Sequence, residues 1–329
     1  MTTRRAILQG AAALSAAALV ARPAFAAGTG NIFVSLEKGN EVVVLDKSYV
    51  EVKRIPTSKR PRDMHFNQDR TQLYVACGDD DAIDIIDVAT LEVVDTVPTG
   101  PSPEVFAFTP DYKGVWVSNE EYSQLELIDL ESRVSMVQVP TGAEPEGVIV
   151  SEDGKTVYVT SEVADMVHVV DVASGAVIKN IMVGTRPRRF IFTPDGKQVW
   201  VSCELSSEIF IIDRATNEIV GDSLFFVPPG FKPEDVTPVG MAVTKDGSKI
   251  LLSLGRANHV AVIDGTTHEI IKYILVGKRA WSVDLSPDES VAIVSNGLSD
   301  DITVVDMATL EPVQTIPVGR VPHTVMIHA

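Results

Sequence analysis

Arg188-Arg189-Phe190-Ile191-Phe192-Thr193-Pro194-Asp195-Gly196-Lys197-Gln198-Val199-Trp200-Val201-Ser202-Cys203, continued by Glu208-Ile209-Phe210-Ile211-Ile212-Asp213, decides the fold of this chain. It reads as strand, tight turn, strand, break, strand. Pro, Asp and Gly stand where turn chemistry wants them. Ser206-Ser207 interrupts the second and third strands, and Ala215-Thr216-Asn217 turns the chain into a fourth from Glu218. The closing phrase, a hydrophobic run ending in Asp, occurs seven times, at Asp46, Asp87, Asp129, Asp171, Asp213, Asp264 and Asp306. The steps are 41, 42, 42, 42, 51 and 42 residues. A fixed period of this length, rich in β-branched residues, marks a propeller blade of four strands. The expected fold is an all-β, seven-bladed β-propeller with four antiparallel strands per blade. The one long step places an insertion in a single loop.

The ends do not match this frame. The chain enters the repeat at a second strand, Asn31 to Leu36, and finishes with a first strand, His323 to His328. The ring is therefore expected to be closed by the C-terminal strand joining the N-terminal blade. That closure hides two edges otherwise free to pair with other chains.

Residues 1–26 read as a twin-arginine-type signal peptide. Thr3-Arg4-Arg5-Ala6-Ile7-Leu8 precedes an apolar stretch from Ala11 to Val20 and the small-x-small site Ala24-Phe25-Ala26. The apolar stretch is shorter than the roughly 20 residues a membrane span requires. The expectation is a periplasmic protein whose residues 27–329 form a single propeller domain. Removing Arg4, Arg5 and Arg22 takes the formal charge from −17 to −20. Such an acidic chain is a poor general binder of nucleic acid, whose phosphates recruit cations. No other segment suits a membrane, and a closed ring buries its core without a partner, so a monomer is expected. Cys77 and Cys203 end second strands three blades apart. A disulfide needs Cα atoms within about 7 Å, so two free thiols are expected.

Blade topology gathers the loops before first strands and the ends of second strands on one face, the top. A Pro precedes most first strands, at Pro61, Pro103, Pro145, Pro187, Pro238 and Pro322. The next residues, His323, Arg62, Glu104, Glu146, Arg188, Val239 and Trp281, should ring the axial mouth. Two positions on, the residues are all apolar, from Met64 and Phe106 to Val283 and Val325. Glu37, Glu120, Glu162 and Glu204 end second strands, so one side of the mouth is expected to be acidic. The other side holds Lys59, Arg60, Arg62, Arg320 and His323.

Arg62, Glu104, Glu146, Arg188, Arg189, Trp281 and His323 are the expected ligand-binding set. Glu120, Glu146 and Glu162 could hold a hard cation such as Ca²⁺ or a lanthanide through oxygen ligands; the alternative is a set of rim ion pairs with arginine. Phe225, Phe226 and Phe231, in the long step, suggest a lid or docking edge. The alternative there is a fourth strand that packs its own aromatics. His323 is the leading functional histidine, while His65, His168, His259 and His268 occupy ordinary packing positions. No Ser-His-Asp pattern, haem-attachment motif or phosphate loop occurs, so no catalytic residue is assigned.

The unit Val157-Tyr158-Val159-Thr160-Ser161, followed by Val169-Val170-Asp171, resembles the YVTN family of seven-bladed propellers over residues 31–329. More narrowly, the chain is similar to propellers associated with PQQ-dependent alcohol catabolism. Ala143-Glu144-Pro145-Glu146-Gly147, Arg186-Pro187-Arg188-Arg189-Phe190, Thr237-Pro238-Val239-Gly240 and Val276-Gly277-Lys278-Arg279-Ala280-Trp281 carry this likeness. It implies a periplasmic accessory working beside quinoprotein alcohol dehydrogenases and their c-type cytochromes, without established catalytic residues. Three readings stay open. The first is a binding protein in which Arg62, Arg188, Arg189 and His323 clamp an anion such as PQQ and Trp281 stacks on it. The second is a lactonase using Glu146, Arg188 and His323. The third is a partner subunit docking a dehydrogenase or cytochrome through the Phe-rich insert.

Overall fold

A computed structural model describes residues 28–329; the twin-arginine stretch and cleavage site lie outside them. The described residues form seven antiparallel sheets in a closed ring. Blades 2 to 7 each begin at their innermost strand, starting at Pro61, Pro103, Pro145, Pro187, Met241 and Ala280. Blade 1 is composite. Its innermost strand is Pro322–Ile327, paired with Ile32–Leu36 in the register Ile32↔Ile327 and Val34↔Val325. The expected closure is therefore present. Among the described residues no helix is long and apolar enough to cross a membrane.

The repeated aspartate has a structural role. Six of the seven end a third strand, Asp46 directly follows one, and each accepts a hydrogen bond from a backbone N–H two or three residues on. This Asx turn reverses the chain into the fourth strand. The hydrophobic run before it is buried between blades. Second and third strands carry this core, as at Val199, Val201, Ile211 and Ile212, whereas fourth strands stay largely exposed. Cys77 and Cys203 are buried free thiols, as expected.

The axis is set by close backbone approach. A Cβ added to Gly147 would collide with the Arg188 carbonyl, and one at Gly240 with the Trp281 carbonyl. Glycine lets consecutive innermost strands come this near. Second-strand serines then tie five of the seven blades to the next. Ser35, Ser118, Ser202, Ser253 and Ser295 donate to the carbonyls of Arg62, Glu146, Val239, Trp281 and His323, at 2.6–2.7 Å. These serines therefore fix the residues that face the axis.

The insertion packs two of its three phenylalanines inward. Glu218–Ile219 and Leu224–Phe225 both pair with the third strand of blade 5, leaving a bulge between them. Phe226 is 4% exposed and packs with Trp200, Ile209 and Leu254. Phe231 is half-buried and meets His259 edge-on, with ring centroids 5.5 Å apart. Only Phe225 of the three faces solvent. The expected patch of three phenylalanines is thus replaced by a plug between blades 5 and 6, because apolar burial there outweighs exposure.

Candidate functional site

The seven residues expected at the mouth do meet at the axis, but as a buried belt. Arg62, Glu104, Glu146, Arg188, Val239, Trp281 and His323 are all at most 9% exposed. Arg62 Nε donates to His323 Nε2 at 3.1 Å. Arg62 also pairs closely with Glu104 and reaches Glu146 at 3.8 Å. Arg188 lies 3.3 Å from Glu146, pairs closely with Glu162, and stands 3.6 Å from Glu204. Its guanidinium sits 5.1 Å from the Trp281 ring centre. Trp281 Nε1 donates to His323 Nε2 at 2.7 Å and completes the circuit. Glu104 and Glu146 are neighbours around the ring, and each is paired with an arginine of the belt. Buried charge is tolerated only when paired and hydrogen-bonded, which is what these pairs supply.

His323 is fixed in one state by its partners. Its Nε2 accepts from two donors, so the proton resides on Nδ1, which lies 3.0 Å from Thr324 Oγ1. Burial, with Arg62 and Arg189 close by, drives its pKa well below the ordinary range. It is a neutral anchor for Arg62 and Trp281, with no lone pair left for a proton or a metal.

The carboxylates divide by environment. Burial alone would raise Glu146, but Arg188, Arg62 and Arg189 outweigh it and hold that carboxyl far below the usual range. Burial and the Glu146 charge outweigh Arg188 and Arg186 at Glu162, whose carboxyl is pushed up to about 7. Glu162 lies above its ordinary 4.5 in the folded state, so its contribution to stability is full below 4.5 and is lost as pH rises to about 7. Through Glu162 the wild type should lose stability across that window. Glu162→Gln, neutral throughout, should flatten it, as urea unfolding at a series of pH values would record.

Above the belt opens a cavity of about 380 Å³. Six cations line it, Lys38, Arg60, Arg62, Arg186, Arg188 and Arg279, against four acids, Glu37, Glu120, Glu146 and Glu162. This excess of positive charge stands in a chain of net charge −17. Arg60 pairs with Asp79 and Glu104, both at 2.8 Å. Arg186 pairs with Glu162 at 2.8 Å and Glu204 at 3.4 Å. Arg279 lies 4.7 Å from the Trp281 ring centre and makes no salt bridge among the described residues. The buried Nε of Arg60 and that of Arg186 are the atoms that face Asp79 and Glu162.

Two expected ligand residues lie outside this cavity. Glu104 is sealed beneath Arg60 and Arg62. Arg189 binds Glu146 at 2.6 Å and lines a second axial cavity of about 190 Å³, with Asp63, His65 and Asp284. The expected clamp of Arg62, Arg188, Arg189 and His323 is therefore engaged internally, and Trp281 offers its ring to Arg188 and Arg279. Nor do Glu120, Glu146 and Glu162 converge as a metal site. Glu120 accepts from Ser102 Oγ at 3.0 Å while the other two share Arg188. Among the described residues no group of three or more His, Cys, Asp or Glu side chains is arranged to hold a metal ion.

Arg186 and Arg279, which sequence reasoning did not assign to the site, occupy the position before the first strand. Its signal was the repeat itself: Arg60, Arg186 and Arg279 are aligned residues.

Two family descriptions match parts of the chain. Residues 98–195 match the YNCE-like beta-propeller, and residues 236–324 match the Cytochrome D1 heme domain. No curated protein matches. Solved structures of the same shape include the Kuenenia stuttgartiensis hydrazine synthase, 20% identical, covering 89% of this chain and 99% of that one, with a TM-score of 0.75. The Pseudomonas aeruginosa periplasmic gluconolactonase PpgL is 17% identical over 91% of this chain and 99% of its own, with a TM-score of 0.76. Dihydro-heme d1 dehydrogenase NirN is 18% identical over 94% of this chain and 77% of its own, with a TM-score of 0.69. At these identities the likeness is one of fold, and the chain is a seven-bladed β-propeller.

Proposed function

We propose that this propeller is a periplasmic binding module that takes a small, carboxylate-bearing anion at its top axial mouth. The single observation that carries the reading is the cationic excess of a partly enclosed cavity in an acidic protein, with Arg279 unpaired at its wall. Guanidinium forks suit carboxylates in two-point geometry. Lys38, Arg60, Arg186 and Arg279 supply the contacts, and the buried belt beneath holds their surroundings rigid. An accessory role in quinoprotein alcohol oxidation fits this chemistry, because PQQ carries several carboxylates. PQQ when bound supplies quinone redox chemistry; this chain's own residues bind and orient it. A dehydrogenase or cytochrome partner would then meet the same face.

A haem does not fit the mouth through His323, whose Nε2 is occupied by two donors; an axial ligand needs that lone pair. Calorimetric titration of residues 27–329 with PQQ should give saturable binding at micromolar concentration or tighter. Arg279→Asn should weaken it at least tenfold. Absence of heat with the folded protein removes the proposal.

Glu162 favours a second reading. A carboxyl near pKa 7 beside guanidiniums suits general base catalysis. Its carboxylate would take a proton from water as the water oxygen attacks a lactone carbonyl. The ring C–O bond would then break, and the proton would pass to the departing alkoxide. Glu146, held ionised by three arginines, and His323, with no free lone pair, do not suit this role. Gluconolactone hydrolysis above the spontaneous rate, lost in Glu162→Gln, would establish the hydrolase in place of the binding module.

A further inference from the structure

Arg60, Arg186 and Arg279 occupy one position of the repeat, the residue before the first strand of blades 2, 5 and 7. Each has a left-handed backbone, with φ of 58°, 60° and 59°. Ser102, Glu144 and Val321 share this conformation in other blades, so the backbone shape belongs to the repeat. The guanidinium does not; it is a choice made at three blades.

Each arginine stands on a fixed stalk. The backbone N–H of Arg60 donates to Asn40, that of Arg186 to Asp165 and that of Arg279 to Asn258, at 2.9–3.0 Å. These acceptors come from the preceding blade, so neighbouring blades lock the three residues in place. All three side chains line the same axial cavity. Around the ring their blades are three, two and two steps apart. Seven blades allow no closer approach to threefold spacing.

Their hydrogen-bonding capacity is incompletely used. Arg60 and Arg186 reach Asp79 and Glu162 through Nε, both at 2.8 Å, the terminal nitrogens of Arg186 make no hydrogen bond among the described residues, and Arg279 has no carboxylate partner among them. Guanidinium N–H groups left over from these pairs, beside a cavity, are donors for a carboxylate.

Resting on the anion-binding reading, we infer that the mouth recognises an anion with three carboxylates set around a compact centre, one carboxylate for each of these arginines. The carboxylates enter between the arms, and the resident pairs with Asp79, Glu104, Glu162 and Glu204 remain. A ligand with fewer carboxylates binds on fewer arms.

The test is calorimetry of residues 27–329 with benzoate, isophthalate and benzene-1,3,5-tricarboxylate. Affinity should rise about tenfold or more with each added carboxylate. Arg60→Asn, Arg186→Asn and Arg279→Asn each remove one arm, and Asn tolerates the left-handed backbone. Each variant should weaken the tricarboxylate at least tenfold and leave isophthalate within about threefold, with thermal transitions recorded to show that the fold is kept. Equal affinity for all three acids, or a loss confined to Arg279→Asn, overturns the three-point arrangement while the anion site stands. If none of the acids binds the folded wild type, the anion-binding reading falls and the three-point arrangement with it.

Discussion

Removal of residues 322–329 abolishes cooperative folding. Trimming an ordinary terminus does little, because few contacts are lost. Here the eight residues include the innermost strand of blade 1. Their loss exposes the full edge of Ile32–Leu36, and it takes Val325 and Ile327 from the core shared by blades 1 and 7. It also removes His323, the acceptor of both Arg62 and Trp281. An open ring leaves two unpaired edges, and a domain stable by only about 5–15 kcal/mol does not survive losing one strand from its closure. The truncated chain should lack a thermal transition by calorimetry and should aggregate. A sharp transition within a few degrees of the full chain would show that the closure contributes little.

Arg188→Ala is expected to cost about 3–5 kcal/mol, the usual penalty for leaving a buried charge without its partner. Arg188 is 2% exposed and stands among Glu146, Glu162 and Glu204. Without it three carboxylates share a poorly solvated space with only Arg62, Arg186 and Arg189. The direction with pH follows from the same charges. Protonation relieves the repulsion, so the deficit should shrink as pH falls and grow as pH rises past about 7, where Glu162 ionises in the wild type. Urea unfolding at two pH values measures this. A loss below about 1 kcal/mol at pH 8 would mean that water solvates the belt.

The ring, its closure and the free thiols were legible because they depend on periodicity alone. Strand order and the turn aspartates recur at fixed spacing, so position in the repeat gives position in space. That logic also brought His323, Arg62, Glu146, Arg188 and Trp281 to one place. It did not reveal that they are buried, since burial depends on how closely innermost strands approach. Gly147 and Gly240 allow that approach, but a glycine in a strand does not announce which carbonyl it faces. The serines behind the axial carbonyls were visible at one repeat position, yet their partners belong to the next blade. Arg186 and Arg279 were passed over because a residue before a strand is ordinarily part of a turn. Only the left-handed backbone shows that it projects to the mouth. The packing of the phenylalanines was hidden for a related reason: composition gives their number, while the broken fourth strand decides that Phe226 turns inward.

The indole N–H resonance of Trp281 tests the central claim most directly. Trp116 and Trp200 are fully buried within blades, while Trp281 joins Arg188, Arg279 and His323 beneath the cavity. In a ¹⁵N–¹H spectrum assigned with Trp281→Phe, benzene-1,3,5-tricarboxylate should shift the Trp281 signal saturably and leave the other two unmoved. An unmoved Trp281 signal at millimolar ligand, or equal shifts of all three, would contradict an anion site at the axial mouth.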